Sequence, residues 1–305
     1  MLISKVLCSL LLVCGFLINV SAQNLKVIAF AQDTMANDFR KAQVFEVRDA
    51  LASNPNIKFI YADSKGQTSL MISQIEKFIA KNVDLIIVGA NDANAVVPVV
   101  SKAYKSGIPV IILDRGINSK EYTTFINSDN IKIGKIGAEY IAKKLGGKGK
   151  VLLFEGIQTA DVTQLRTRGF MDEISKHKRI EVIKRTGNYL RRDTIIEMEK
   201  LIADGIEFDA VFAHSDSMIS GVRAALLRNK VDIESIITVG CDYTSEARKS
   251  IREGMQTGSI KFPLGGKESA EIALRIFAGE KIPYYVSLPV KLVTKKNVDE
   301  VEPIF

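Results

Sequence analysis

Residues 84–113 read DLIIVGANDANAVVPVVSKAYKSGIPVIIL, and this stretch decides the fold class of the chain. Its two ends, 84–88 and 109–113, are short runs of branched apolar residues, which are typical of parallel strands buried on both faces. The segment between them, 95–104, has apolar residues at helical spacing. A strand, a helix and a second strand in this order predict a βαβ unit with a right-handed crossover.

The same alternation continues on both sides of this unit. Further strands are predicted at 26–30, 57–61, 123–126, 151–154, 181–185, 210–213 and 236–239. Further helices are predicted at 39–52, 68–80, 131–145, 162–175, 193–203, 216–227 and 245–253. The glycine cluster at 146–149 is a helix stop and turn, after which the pattern starts again. The pattern predicts an α/β protein with two doubly wound, Rossmann-like parallel sheets in tandem.

The composition excludes several classes of function. The chain has 305 residues, with 42 Lys+Arg against 35 Asp+Glu, 2 His, 3 Cys and no Trp, and 47% of its residues are hydrophobic. These are the proportions of an ordinary globular protein, and the length is enough for two domains. The net charge of +7 is modest and not clustered, whereas a nucleic-acid-binding protein more often has a basic stripe. We therefore expect no nucleic-acid partner.

Residues 1–22 have the features of a secretory signal peptide. Lys5 precedes an apolar run at 6–18, and residues 20–22 (VSA) offer a cleavage site. A transmembrane anchor would need about 20 apolar residues, more than this run contains. Cleavage at this point would leave Cys241 as the one cysteine, which cannot form an internal disulfide. We expect a mature protein that is soluble in the periplasm.

Motifs for catalysis, nucleotide binding and metal binding are absent from the sequence. It contains no G-x-G-x-x-G after the first strand, no G-x-x-x-x-G-K-[ST], no G-x-S-x-G and no H-E-x-x-H. His177 and His214 stand apart, without a cysteine near them to share a metal. An enzyme would need an acid–base pair or an activated nucleophile, and the sequence identifies neither. We expect a protein with no catalytic residue, cofactor or metal.

Polar residues follow the strands, at the carboxyl edge where doubly wound sheets bind ligands. They occur at 32–33, 37, 89–92, 114–115, 156–158, 215–216 and 241–242. For any single one, capping of the next helix is the simpler interpretation, as for Ser215 and Asp216. As a set on both halves, they predict two polar faces opposed across a cleft.

Six segments of the chain resemble a known family. They are 37–40 (NDFR), 108–115 (IPVIILDR), 128–130 (SDN) with Gly134 and Gly137, 155–156 (EG) with Arg166, Gly169 and Phe170, 211–218 (VFAHSDSM) and 239–242 (VGCD). From about residue 26 to the C-terminus, the chain resembles the periplasmic sugar-binding proteins of ABC importers, and the ribose- and galactofuranose-binding type is the most similar group. The resemblance implies the type 1 periplasmic binding protein fold.

The resemblance also implies how the chain divides. An N-terminal lobe would comprise 24–127 plus 262–288, and a C-terminal lobe 128–261 plus 289–305. Three hinge segments, near 127–129, 259–262 and 288–290, would join them. The lobes would close on a monosaccharide, because a ligand that contacts both stabilises the closed form. The protein, as a monomer, would then deliver the sugar to a membrane permease.

Transferred residue by residue, the resemblance implies a site with contributions from both lobes. Asp114 and Arg115 would bind the sugar from the N-terminal lobe, and Arg166 and Asp242 from the C-terminal lobe. Phe39 would stack on an apolar sugar face. Sugar hydroxyls both donate and accept hydrogen bonds, so carboxylate acceptors and guanidinium donors suit them. The remaining predicted ligand-binding residues are Asn37, Arg40, Ser215 and Lys261.

Departures from the family pattern leave the sugar open. Ser215 replaces a family Asn, and Lys261 aligns where Gln or Glu is common. Arg40, Arg115, Arg166 and Lys261 would bring up to four cations to a cleft that holds Asp33, Asp114, Asp242 and, if it lines the site, Asp92. We expect a neutral pentose or hexose. A sugar acid or a phosphorylated sugar is the alternative, because a buried unpaired cation is costly. Tyr189 and His214 are further candidates for the cleft.

Three other functions are compatible with parts of this pattern. A transcription regulator of the lactose-repressor type shares this core, but it would need an N-terminal helix-turn-helix, and the strand at 26–30 follows the leader almost at once. A secreted enzyme on this fold would need the missing nucleophile and base. A binding protein that presents its sugar to a membrane sensor kinase or chemoreceptor stays open, because docking surfaces have no short motif.

Overall fold

The structure, a computed structural model, describes residues 25–305. Its strands are β1 (Lys26–Gln32), β2 (Ile57–Asp63), β3 (Leu85–Gly89), β4 (Val110–Leu113), β5 (Thr124–Ser128), β6 (Lys148–Glu155), β7 (Arg179–Thr186), β8 (Ala210–Ala213), β9 (Ile237–Asp242), β10 (Gly258–Lys261), β11 (Tyr285–Leu288) and β12 (Lys291–Thr294). Its helices are α1 (Asp38–Leu51), α2 (Thr68–Ala80), α3 (Val97–Lys105), α4 (Asn130–Lys144), α5 (Asp161–Ile174), α6 (Arg191–Ala203), α7 (Asp216–Arg228), α8 (Ser245–Arg252) and α9 (Gly266–Phe277). The predicted signal peptide, 1–22, lies outside the described residues.

Within residues 25–305 the strands form two six-stranded sheets with equivalent strand orders. The first is β11-β5-β4-β3-β1-β2 and the second is β12-β10-β9-β8-β6-β7. The paired strands run parallel, apart from β10 and β12, which are antiparallel. The prediction of two doubly wound parallel sheets is confirmed.

Each sheet buries both of its faces, as the continuous apolar runs predict. In β3, Ile86 and Val88 belong to the hydrophobic core that includes Met71 and Val100 of α2 and α3. Leu85 and Ile87 belong to the core on the opposite face of the sheet, which is formed with α1 and α9. Successive side chains of a strand point to opposite faces, so a strand covered by helices on both sides must be apolar throughout. This placement leaves the strand ends for polar residues.

Helix α9 was not predicted, and its N-terminus explains why. The N-cap residue is Gly265, with φ of 72° and no side-chain cap. The carboxylate of Glu46, on α1, accepts instead from the backbone N–H groups of Gly266 at 2.7 Å and Lys267 at 3.2 Å. A helix whose cap comes from a distant element lacks the local Ser, Thr, Asp or Asn signal that sequence analysis uses.

The described chain passes between the two sheets three times. The passages lie between β5 and α4, between β10 and α9, and between β11 and β12. They divide the sheets near the predicted lobe limits, 24–127 plus 262–288 and 128–261 plus 289–305. That the two lobes move as units on a three-segment hinge stays a prediction. Among residues 25–305, no helix is both long and apolar enough to cross a membrane.

Candidate ligand-binding site

A pocket lies between the two sheets, where the carboxyl ends of their strands face each other. The space between its lining atoms, including the part open to solvent, is about 280 Å³. Its lining residues are Asn37, Phe39, Arg40, Asp114, Arg115, Val162, Arg166, Tyr189, Ser215, Asp242 and Phe262. Both lobes contribute, as expected for a site at the strand ends of two doubly wound sheets.

Eight of the nine predicted ligand-binding residues line this pocket, and Lys261 does not. The Lys261 ammonium donates to the backbone O of Glu302 at 2.8 Å, in an exposed position near the C-terminus. The next residue, Phe262, lines the pocket instead. Neighbouring side chains of an extended segment point to opposite sides, so an alignment error of one residue selects an outward side chain. The structure therefore places Lys261 outside this pocket, contrary to the prediction that it binds the ligand.

Two ion pairs form the wall that the N-terminal lobe contributes. Arg40 Nη2 lies 2.5 Å from Asp114 Oδ2, and Arg115 Nη1 lies 2.6 Å from Asp33 Oδ2. Arg40 Nε also lies 3.6 Å from Asp33 Oδ1. All four side chains are buried. Two guanidinium groups therefore face two carboxylates, which is the arrangement that makes buried charge tolerable. Asp33 does not itself line the pocket, but it lies beside Arg40 and Arg115, which do.

Asp114 and Asp242 occupy equivalent positions in the two lobes. Asp114 directly follows β4 and Asp242 ends β9, and these strands are third in their respective strand orders. Both have positive φ, 66° for Asp114 and 109° for Asp242. Such backbone is uncommon outside glycine and concentrates at functional sites. Asp114 Oδ1 is buried without a hydrogen-bond partner among residues 25–305, so it is available as an acceptor.

Arg166 of the C-terminal lobe and the aromatic rings of Phe39 and Phe262 line another side of the pocket. Arg166 Nε donates to Asn130 Oδ1 at 2.7 Å, and Nη1 donates to the backbone O of His214 at 2.6 Å. The guanidinium lies over the ring of Phe262, 4.7 Å from its centroid. Phe262 stacks on Phe39 with centroids 5.4 Å apart. The pocket therefore combines an apolar aromatic surface with a fixed cationic donor.

Tyr189 was left open by the sequence and lines the pocket. Its hydroxyl and that of Thr163 share a hydrogen bond of 2.8 Å, and Arg115 lies 5.1 Å from the ring centroid. A Cβ at Gly156 would lie within 2.0 Å of two Tyr189 ring atoms. Glycine is therefore required at 156 for the tyrosine to take this place. The local sequence does not reveal this requirement for glycine, because Gly156 and Tyr189 lie on different loops.

Asn37 and Ser215 cap helices as well as lining the pocket. Asn37 Oδ1 accepts from Arg40 N at 3.1 Å, at the start of α1. Ser215 Oγ accepts from Met218 N at 3.2 Å, at the start of α7. The capping interpretation of Ser215 and its place in the pocket therefore both apply.

Two of the open candidates do not line the pocket. Asp92 Oδ1 accepts from Asn94 N and Ala95 N, both at 2.9 Å, and so holds a turn. His214 is buried, and burial followed by the charge of Arg166 keeps its pKa well below the usual value, so the ring is neutral. Among the described residues, no group of three or more His, Cys, Asp or Glu is placed to bind a metal ion.

Three carboxyl groups at or near the pocket have a raised pKa. Burial, together with the charges of Asp216 and Asp114, raises the pKa of Asp242 well above normal, and Arg166 offsets part of this. Burial and the charge of Asp114 raise the pKa of Asp161 to about 6. Burial raises the pKa of Asp216 to about 6, although hydrogen bonds from neighbours oppose the shift.

These raised pKa values predict that the folded protein gains stability as pH falls from about 7 to about 5. A carboxyl group whose pKa is higher in the folded state binds its proton more tightly there. Its protonation therefore contributes fully to the free energy of unfolding below the pKa of the unfolded state, about 4. This contribution is lost as the pH rises through the folded-state pKa, about 6. The Tm of the ligand-free protein should rise accordingly. Asp216→Asn should remove part of that slope. A Tm that rises towards neutral pH would contradict the assignment.

Proteins with related sequences and the same fold bind small solutes. The periplasmic binding protein domain family matches residues 28–281. The ribose import binding protein RbsB of Bacillus subtilis (strain 168) is 32% identical over 247 residues, which cover 80% of this chain and 80% of that protein. A solute binding protein of an ABC transporter from Bacillus halodurans C-125, solved with bound myo-inositol, has a TM-score of 0.87 and 28% identity, covering 92% of this chain and 98% of that chain. The fructose binding periplasmic domain of a hybrid two component system has a TM-score of 0.85 and 26% identity, covering 90% and 92%.

Proposed function

The chain belongs to the periplasmic binding protein family, and we propose that it captures a neutral monosaccharide between its lobes and delivers it to the permease of an ABC importer. One observation carries this proposal. Buried Asp and Arg side chains of both lobes converge with aromatic rings on one small pocket, in which Asp114 Oδ1 has no partner among the described residues. The proposal concerns binding, with no catalytic step.

The chemistry of the pocket suits a small polyol. Sugar hydroxyls donate to Asp114 and Asp242 and accept from the guanidinium groups of Arg115 and Arg166. The C–H face of a sugar ring packs against the Phe39 and Phe262 surface. The pocket is small, and we expect a ligand of one ring. Ribose and myo-inositol, named for two similar proteins, are molecules of this kind.

The charge balance supports a neutral ligand over an acidic one. Arg40 and Arg115 are already paired with Asp114 and Asp33. Lys261, the fourth expected cation, points away from the pocket. A carboxylate or phosphate ligand would have to displace these ion pairs or lie beside buried aspartates, and both are unfavourable. Of the four expected cations, two are therefore paired with carboxylates and one lies outside the pocket, which weakens the case for the sugar-acid alternative. Arg166 donates to the neutral acceptors Asn130 Oδ1 and His214 O.

The placement of the two aspartates supports the proposed closure of the lobes on the ligand. Burial and then Asp216 are the larger causes of the raised pKa of Asp242, and the negative charge of Asp114 adds to them. A ligand that donates hydroxyl hydrogens to both relieves this repulsion only when the lobes are closed. Its differential affinity for the closed form drives the hinge towards that form.

Family membership and the predicted leader support the partner and the compartment that we propose. We place the protein in the periplasm as a monomer, after removal of residues 1–22. A second candidate function is presentation of the sugar to a membrane sensor kinase, and the similarity to the fructose binding periplasmic domain of a hybrid two component system favours it. Stimulation of the ATPase of a reconstituted permease by the sugar-loaded protein would distinguish import from sensing.

A thermal-shift panel tests the ligand class. We expect at least one of D-ribose, D-galactose, D-fructose and myo-inositol to raise the Tm of the protein, by an amount that grows with concentration and corresponds to about 2.7 kcal/mol at 100 times Kd. D-glucuronic acid and D-ribose 5-phosphate at the same concentrations serve as charged controls and should have no effect. A shift with the charged compounds alone would contradict a neutral ligand. A flat response to the whole panel would count against a sugar-binding function.

A further inference from the structure

The loop between β6 and α5 reaches across the cleft to the N-terminal lobe. Thr159 Oγ1 donates to the backbone O of Asn91 at 2.8 Å, and the backbone O of Thr159 accepts from Ala93 N at 3.2 Å. These three residues are not among those that line the pocket. The two hydrogen bonds therefore join the lobes without involving a ligand.

A second contact lies beside the first. The carboxylate of Asp161, the first residue of α5, lies against the backbone of Gly116 in the N-terminal lobe. The approach is close, because a Cβ at Gly116 would lie 2.7 Å from Asp161 Oδ2. The φ of Gly116 is outside the left-handed region, so its backbone conformation does not require glycine. What requires glycine here is the close approach of the opposite lobe.

We propose that these contacts form a closing latch, defined as Thr159 and Asp161 of the C-terminal lobe with Asn91, Ala93 and Gly116 of the N-terminal lobe. The latch stabilises the closed form whether or not the pocket is filled. Its members are positioning residues, since none of them lines the pocket. The apparent affinity of a hinge protein scales with the fraction that is already closed. The latch therefore sets affinity and release from outside the pocket, and this consequence rests on the proposed function.

The test measures the distance between the lobes in the ligand-free full chain. Nitroxide labels are attached at Lys77→Cys on α2 and Lys200→Cys on α6, both exposed positions. Cys8 and Cys14 are replaced by serine, and Cys241 is buried and therefore protected from labelling. Pulsed electron paramagnetic resonance then resolves open and closed distances. We expect the labelled protein with an unsubstituted latch to contain both open and closed molecules.

Two substitutions weaken the latch in different ways. Gly116→Ala places a methyl group against Asp161 Oδ2 and should lower the ratio of closed to open molecules by about tenfold or more. Asp161→Ala added to Gly116→Ala removes the obstructing oxygen and should restore part of the ratio. Thr159→Val removes the donated hydrogen bond at nearly constant volume and should lower the ratio about fivefold.

The matched control is Thr167→Val. The Thr167 hydroxyl donates to Glu155 Oε1 at 2.7 Å, a contact within one lobe, so the ratio should not change. Absence of a closed population in the ligand-free protein would overturn the proposal, as would a Thr159→Val ratio equal to that of Thr167→Val. No sugar is present in this measurement, so its outcome is independent of the sugar panel.

Discussion

Asp114→Ala should abolish the sugar-induced rise in Tm and weaken binding by more than about 100-fold. The substitution removes the acceptor that faces the ligand, and it leaves the buried guanidinium of Arg40 without its 2.5 Å partner. Loss of a charged hydrogen bond costs about 1.5–3 kcal/mol, and exposing a buried unpaired charge adds to this. Each 1.4 kcal/mol is about a factor of ten in Kd. Isothermal titration calorimetry with the sugar that gives the largest thermal shift measures the change.

Two further variants make this result specific. Asp114→Asn keeps the shape and one acceptor oxygen, so it should lose affinity by about tenfold only. Asp38→Ala removes an exposed carboxylate in the first turn of α1, next to the site, and should bind as the unchanged protein does. Full retention of the thermal shift by Asp114→Ala would show that the site is wrongly assigned.

Asp216→Ala should lower the free energy of unfolding by about 3–5 kcal/mol, even without a ligand. The buried Asp216 carboxylate accepts hydrogen bonds from Tyr243 N at 2.7 Å and Thr244 N at 3.2 Å. It also accepts from Ser259 Oγ at 2.7 Å and Gln256 Nε2 at 2.9 Å. Alanine leaves these buried donors without that acceptor, and relief of the buried charge recovers only part of the cost. Urea denaturation of the ligand-free protein measures the loss.

The control for this substitution is Asp172→Ala. Asp172 is an exposed residue of α5, so its loss should change the free energy of unfolding by less than about 0.5 kcal/mol. Equal urea midpoints for Asp216→Ala and Asp172→Ala would contradict the structural role of Asp216. A normal midpoint with lost sugar binding would move Asp216 into the ligand site instead.

Glycines in the resembling segments gain a physical explanation from the structure. A Cβ at Gly134 would lie 2.1 Å from the backbone O of Arg166, and one at Gly169 would lie 2.1 Å from the backbone O of Ile131. Helices α4 and α5 therefore touch backbone to backbone at these positions. The sequence shows that glycine is present, whereas the reason for it lies in a helix pair that forms only on folding.

The sequence alone determined the alternation of strands and helices, the two parallel sheets and most of the pocket. Apolar runs and helical spacing are local properties, and the carboxyl ends of parallel strands must share one edge. Residues such as Asp114, Arg115 and Asp242 could therefore be assigned to one cleft from their positions after strands. The family resemblance supplied their expected role.

The tertiary structure decided which side chains face the ligand and which neutralise each other. Arg40 pairs with Asp114 and Arg115 with Asp33, so two of the expected cations are neutralised within the protein. Whether Phe262 or Lys261 points into the pocket depends on the register of one extended segment. The cap that Glu46 gives to α9 likewise comes from another element. These outcomes depend on the distance between atoms far apart in the chain, and local periodicity carries no information about that distance.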